Sequence, residues 1–207
     1  MQGIKPQNGI LPVQHLQQAI RDGAISADQQ ITAAQLQPAS LDLRLGIAAW
    51  RVQASFLPGS KMTVADKLAK FAMHKIDLAN GAVLERGCVY IVKLQESLAL
   101  PSGLSAIANP KSSTGRLDIF TRLICDHATE FESVADGYKG PLYAEISPRT
   151  FSVLVRSGSR LSQLRLRQGQ ANVSDDAMQS LQTVVGLVHG ERSGEVDIQD
   201  GVGLTVN

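Results

Sequence analysis

The sequence predicts a mainly β protein, a sandwich or barrel carrying two or three short helices at its periphery. Three observations predict it. Short apolar and β-branched runs recur along the chain, residues 89–92 and 142–146 among them. Turn signals separate these runs: Leu-Pro-Ser-Gly, Asp-Gly-Tyr-Lys-Gly, Ser-Pro-Arg and Arg-Ser-Gly-Ser. Helical spacing of apolar residues is confined to three stretches.

The first of those stretches is 12–22. Pro12 suits a first helical turn, Val13, Leu16, Ala19 and Ile20 share a face, and Gly23 supplies the stop. Residues 41–45 then alternate Leu41, Leu43 and Leu45 with Asp42 and Arg44, a strand pattern. A second helix is predicted over 63–75, capped by Thr63, with Val64, Leu68, Phe71 and Ala72 on one face. Strands follow at 89–92, 104–108, 142–146, 151–155 and 161–166. A third helix starts at Ser174, with Asp175 and Asp176 favourably placed in its first turn and Ala177, Leu181, Val184 and Val185 apolar. No low-complexity tract or repeat of about 20–50 residues interrupts this pattern.

The chain has 207 residues, 43% hydrophobic, enough for one domain with a sizeable core. Its 20 basic and 19 acidic residues leave a net charge of +1, and aromatics are only 4%. A binder of long nucleic acid needs surplus cations to displace counterions, and a single-strand binder needs aromatic platforms. Both classes are excluded. The charge is uneven: residues 111–167 carry 9 basic and 6 acidic side chains, whereas 168–207 carry 1 and 6. A local basic stretch in a neutral protein suits a small anionic ligand. No apolar run approaches the roughly 18 residues of a membrane span, and the N-terminus lacks the form of a secretory signal. A cytoplasmic protein is expected. Cys88 and Cys125 lie in apolar runs and are expected to be buried free thiols. Trp50 is expected in a core or an interface.

Two segments could do chemistry. The loop Asn109-Pro110-Lys111-Ser112-Ser113-Thr114-Gly115-Arg116 gathers two cations, three hydroxyls and a glycine. Such a loop either cradles phosphate oxygens or is a polar surface turn; it is not a Walker P-loop. In Gly140-Pro141-Leu142-Tyr143-Ala144-Glu145-Ile146, strand alternation puts Glu145 on the face opposite Leu142, Ala144 and Ile146. Glu145 is then either solvated or a carboxylate aimed into a pocket as a general base. His15, His74, His127 and His189 have no metal-ligand spacing, and the zinc-deaminase signature is absent.

Several segments in order resemble one family. Gln37-Pro38-Ala39-Ser40-Leu41-Asp42-Leu43-Arg44-Leu45-Gly46 is similar to the opening signature of dCTP deaminases. Lys111-Ser112-Ser113-Thr114-Gly115-Arg116 resembles their Arg-Ser-Ser-Leu-Ala-Arg loop, with Lys in place of the first Arg. Gly137-Tyr138-x-Gly140, with Glu145 five residues on, resembles their Gly-aromatic-x-Gly…Glu segment, and Ser159-Arg160-Leu161-Ser162-Gln163-Leu164 the strand that follows. The likeness covers roughly residues 12–167.

The resemblance implies the distorted β-barrel or jelly roll shared with dUTPases, and a homotrimer with sites between subunits. It implies zinc-free hydrolysis of dCTP to dUTP and ammonia, Mg²⁺ riding on the triphosphate. By the same resemblance Glu145 is the base, Ser112 holds the water or amino group, and Arg116 binds Glu145 or the polarised ring. Lys111, Ser113, Gly115, Asp136, Tyr138 and Gln163 would bind the nucleotide. Two departures stand out. Ala135 replaces the acidic residue that dUTPases use to activate water, which argues against the alternative dUTPase chemistry. The cationic lid at the family's C-terminus is missing, and residues 203–207 look like a second copy of 39–43. The expected organisation is a barrel domain over 1–170 and a helix and linker over 171–207. The linker would lead into a second half of a tandem protein. A non-catalytic nucleotide-binding half is the remaining alternative.

Overall fold

The computed structural model describes residues 8–169, 173–188 and 196–203. In chain order the elements are β1 (Gly9–Ile10), α1 (Val13–Arg21), β2 (Ile25–Ala27), β3 (Leu36–Gln37), β4 (Ser40–Leu43), β5 (Leu45–Val52), α2 (Val64–Phe71) and β6 (Ala72–Asp77). They continue with β7 (Ala82–Leu84), β8 (Val89–Ala99), β9 (Leu104–Pro110), α3 (Ser112–Arg116), β10 (Ile119–Cys125), β11 (Ser133–Val134) and β12 (Lys139–Pro148). The last are β13 (Val153–Val155), β14 (Ser162–Gln168) and α4 (Asp175–Val184). The chain divides into two compact units, Met1–Gly169 and Gln170–Asn207.

In the first unit one sheet runs β11-β9-β14-β4-β3, with β1 also on β14. The other runs β10-β12-β8-β5-β6, with β2 also on β8. A two-stranded ribbon pairs β13 with β7. This is the mainly β, barrel-like architecture expected. The inner faces enclose one core: Leu41, Leu43, Ala106, Leu164 and Leu166 from the first sheet meet Tyr90, Val92, Leu123, Leu142, Ala144 and Ile146 from the second. Each such leucine, isoleucine or valine side chain contributes about 1.5–3 kcal/mol on burial.

Arg44 lies where the chain passes from the first sheet to the second, and it is buried. Glu96 of β8 is fully buried against it. Arg44 Nε donates to Glu96 Oε1 at 2.8 Å and its backbone N–H to Oε2 at 2.8 Å, while Gln35 Nε2 donates to Oε1 at 3.0 Å. Just beyond, a Cβ at Gly46 would stand 2.6 Å from the Lys93 carbonyl oxygen, so only glycine fits where β5 shifts register on β8.

A second, smaller core lies on the outer face of the second sheet. Phe56, Val64 and Leu68 cover Ile91, Ile124 and Tyr143, with Trp50 and Phe131 at the margin. Phe56 and Phe71 stack with centroids 5.6 Å apart. Here α2 is shorter than the spacing predicts. Thr63 caps it as expected, its side chain accepting from Asp66 N–H at 3.1 Å. From Ala72 onward the chain instead pairs with β5, so His74 lies opposite Arg51 in a strand. The ladder offered by β5 outweighs the local helical preference.

The loop predicted at 109–116 is split: β9 runs to Pro110 and α3 makes one helical turn. Strand β10 was not foreseen as a strand. Cys125 is buried, and burial pushes its thiol up to about 12; Cys88 is only half-buried, and both are free. In the second unit Ser174 caps α4, its Oγ accepting from Ala177 N–H at 3.3 Å. His189, Arg192 and all but the first residue of the copy at 203–207 lie outside the described residues. Among the described residues no helix is long and apolar enough to cross a membrane.

Candidate active site

Strand β12 pairs with β10 on one side and β8 on the other, placing Glu145 opposite Arg122 and Ile91. Alternation puts these three on the outer face of the second sheet. That face is not solvated there, because α2 and the segment before it cover it. Glu145 is therefore 1% exposed, a buried carboxylate rather than a surface one. Arg122 Nη2 and Nε donate to its Oε1 at 2.6 and 3.2 Å. Its Oε2 is buried and accepts no hydrogen bond among the described residues. The Arg122 guanidinium lies 3.5 Å from the Phe131 ring centroid and 4.7 Å from that of Phe120, and donates to Ser55 Oγ at 2.9 Å.

Glu132 stands near this pair and did not figure in the sequence reading. Its Oε1 accepts from Leu123 N–H at 2.9 Å, its backbone φ is +65°, and its buried Oε2 has no partner among the described residues. Burial raises its carboxyl to about 7, against lowering by the Leu123 N–H and the Arg122 charge. A cleft of about 370 Å³ is lined by Gly115, Asp118, Phe120, Thr121, Arg122 and Glu132. It joins α3 to the Arg122 side of the sheet.

The predicted loop residues sit on α3. Ser112, Ser113, Gly115 and Arg116 are exposed, whereas Thr114 is buried and donates to the Leu161 carbonyl at 2.9 Å. Among the described residues Arg116 has no ion-pair partner; the cation on Glu145 is Arg122. Lys111 Nζ pairs with Asp42, which is 1% exposed, and Arg160 Nη1 lies 3.6 Å from the same Asp42 oxygen. Asp42 Oδ1 has no partner among the described residues. Gln163 sits opposite Asp42 and Asn109, and its Oε1 accepts from Ser40 Oγ at 3.1 Å. Thus Lys111, Arg160 and Gln163 surround the Asp42 of the opening signature.

Tyr138 donates to the Pro141 carbonyl at 2.7 Å and accepts from Asp126 N–H at 3.2 Å; burial raises its phenol. With His127, Ser133 and Lys139 it lines a second cleft of about 310 Å³. Asp136 is exposed and accepts from Gly103 N–H at 3.1 Å. A hollow of about 510 Å³ beside α1 is lined by none of the residues predicted to do chemistry. Among the described residues no three His, Cys, Asp or Glu side chains are grouped to hold a metal.

A buried carboxylate with one oxygen fixed and the other bare can exchange protons with a bound water. Arg122 could have been suspected from alternation in Ile119-Phe120-Thr121-Arg122-Leu123-Ile124-Cys125, once read as a strand. Its register against Glu145 has no local signal.

The model of the 2′-deoxycytidine 5′-triphosphate deaminase N-terminal domain matches residues 7–170. A dCTP deaminase of Halorubrum lacusprofundi is 33% identical over 132 residues, 63% of this chain and 62% of that protein. One of Haloarcula marismortui is 32% identical over 133 residues, 63% and 65% of the two. The crystal structure of 2′-deoxycytidine 5′-triphosphate deaminase from Agrobacterium tumefaciens is 52% identical with a TM-score of 0.81, covering 90% of this chain and 56% of that one. The chain thus spans less than two thirds of the length of each of these relatives.

Proposed function

The chain belongs to the dCTP deaminase family, and from that premise we propose that it hydrolyses dCTP to dUTP and ammonia without zinc, with Glu145 as general base. The observation that carries this reading is the burial of Glu145 with Oε2 unclaimed.

Water adds its hydroxyl to cytosine carbon 4, and its proton goes to Glu145 and on to ring N3. The hydroxyl now on carbon 4 then gives its proton through Glu145 to the amino group, the C–N bond breaks, and ammonia leaves as the carbonyl forms. Ser112 holds the water or amino group at the reacting carbon, and Arg116 favours the charge that develops there. Lys111, Ser113 and Gly115 contact phosphates; Asp136, Tyr138 and Gln163 complete nucleotide binding. Exposure of Ser112 and Arg116 on α3 leaves them free to act on a site completed by a neighbouring subunit, in keeping with a homotrimer. Lys111 can neutralise phosphate charge but lacks the bidentate fork of Arg, and its link to Asp42 tempers that charge.

Mg²⁺ would arrive on the triphosphate as part of the substrate, neutralising phosphate oxygens, a role that asks for no cluster of acidic protein ligands.

Incubation with dCTP and with dUTP tests the reading. Ammonia and dUTP from dCTP are expected; pyrophosphate from dUTP without ammonia would identify a dUTPase, and binding without turnover a nucleotide-binding half. Glu145→Gln should keep dCTP binding and lower turnover by about 10²–10⁴-fold or more. Near-normal deamination by that variant would remove Glu145 from the role.

A further inference from the structure

The two buried carboxylates of the second sheet are held differently. Glu96 has both oxygens satisfied: Oε1 by Arg44 Nε and Gln35 Nε2, Oε2 by the Arg44 N–H. Glu145 has both of its hydrogen bonds on Oε1, from Arg122 alone, and a bare buried Oε2. An unpaired buried acceptor is costly; Asp42 Oδ1 and Glu132 Oε2 also lack partners among the described residues, but of these carboxylates only Glu145 has its other oxygen held by two donors of one guanidinium that is its register partner on the next strand. The guanidinium is itself fixed, between the faces of Phe131 and Phe120 and by its bond to Ser55.

We infer that Arg122 is the positioning residue of the base: by pinning Oε1 it presents Oε2 as the oxygen that exchanges protons with the water at carbon 4. This rests on the reading of Glu145 as base. The pairing is available because Arg122 and Glu145 are register partners on adjacent strands, so the geometry is built into the β10–β12 ladder. Around the pair, Tyr143 lies on the same strand, Lys93 opposite Tyr143 on β8, Glu132 beside Arg122, and Arg149 across the Phe120 ring at 5.7 Å. Among the described residues none of these bonds to Glu145.

The test compares Arg122→Gln, Arg122→Lys and Glu145→Gln in the intact protein, with kcat and KM for dCTP and the melting temperature measured together. Arg122→Gln should lower kcat on the order of 10²-fold with KM within about threefold, since misplacing a reacting group acts on the chemical step. Arg122→Lys, or added guanidinium ion on Arg122→Gln, should recover part of the loss. A folded Arg122→Gln protein with kcat within about threefold of the parent overturns the inference, and so does a change confined to KM. If Arg122→Gln does not fold, Ser55→Ala decides, since it removes one guanidinium contact from an exposed loop. A fall in kcat of about three- to tenfold at unchanged melting temperature is expected, and an unchanged kcat overturns the inference. Near-normal turnover by Glu145→Gln would instead sink the base assignment beneath it.

Discussion

Glu132 illustrates how a single side chain can trade stability for placement. Its carboxyl is raised from the ordinary 4.5 to about 7, chiefly because burial disfavours the charged form. Between those values the folded chain keeps a proton that the unfolded chain has released. Stability therefore falls as pH rises from about 4.5, and the penalty is complete above about 7. Allowing for its partial contact with water, the loss is about 1–2 kcal/mol. Glu132→Gln keeps an oxygen for the Leu123 N–H and removes the charge. Urea unfolding should show it more stable than the parent at pH 8 and nearly equal at pH 4; equal stability at pH 8 would refute the burial account. Neither the buried carboxyl of Glu132 nor the pairing of Arg122 was legible in the sequence. Their placement depends on contacts with Leu123 and Glu145, which lie 9 and 23 positions away. Glu145, Lys111, Ser112 and Arg116 were legible as candidates, because their segments resemble the family's motifs in order and spacing.

Among the elements, helix α1 and the cap of α2 were readable because caps and apolar periodicity are local. The end of α2 was not, since residues from Ala72 onward take their conformation from hydrogen bonds to β5. The same limit explains Asp42 and Arg44. Alternation assigns them to one face of a strand, yet both are buried, one against Lys111 and Arg160 and the other against Glu96. Gly46 belongs to this scale as well. With a Cβ there 2.6 Å from the Lys93 carbonyl, Gly46→Ala must push β5 away from β8. We expect a destabilisation of about 1–3 kcal/mol, measured by thermal or denaturant unfolding. An unchanged midpoint would mean that the ladder is slack at this point.

Across the whole molecule, Arg44 and Glu96 join the first sheet's signature strand to the central strand of the second, with no exposed oxygen left to water. Removing one partner strands the other's charge in the core. Arg44→Leu should cost about 3–5 kcal/mol, read as a large drop in denaturant midpoint. A loss under about 1 kcal/mol would show that water reaches Glu96. The charge distribution also resolves at this scale. The basic excess of residues 111–167 does not form one patch: Arg122 is engaged with Glu145, Lys111 and Arg160 with Asp42, and Arg116 remains exposed on α3. Sequence by itself determined the mainly β class, the family and the identity of the candidate base. The class follows from periodicity and turn chemistry, properties of neighbouring residues; the family and the candidate base follow from the resemblance of four short segments to the family's motifs. Only the tertiary structure decided that the outer face carrying Glu145 is covered, that Arg122 rather than Arg116 is its partner within the chain, and that one carboxylate oxygen is left bare. Burial and strand register are set by segments far apart in the chain, so no local pattern can specify them.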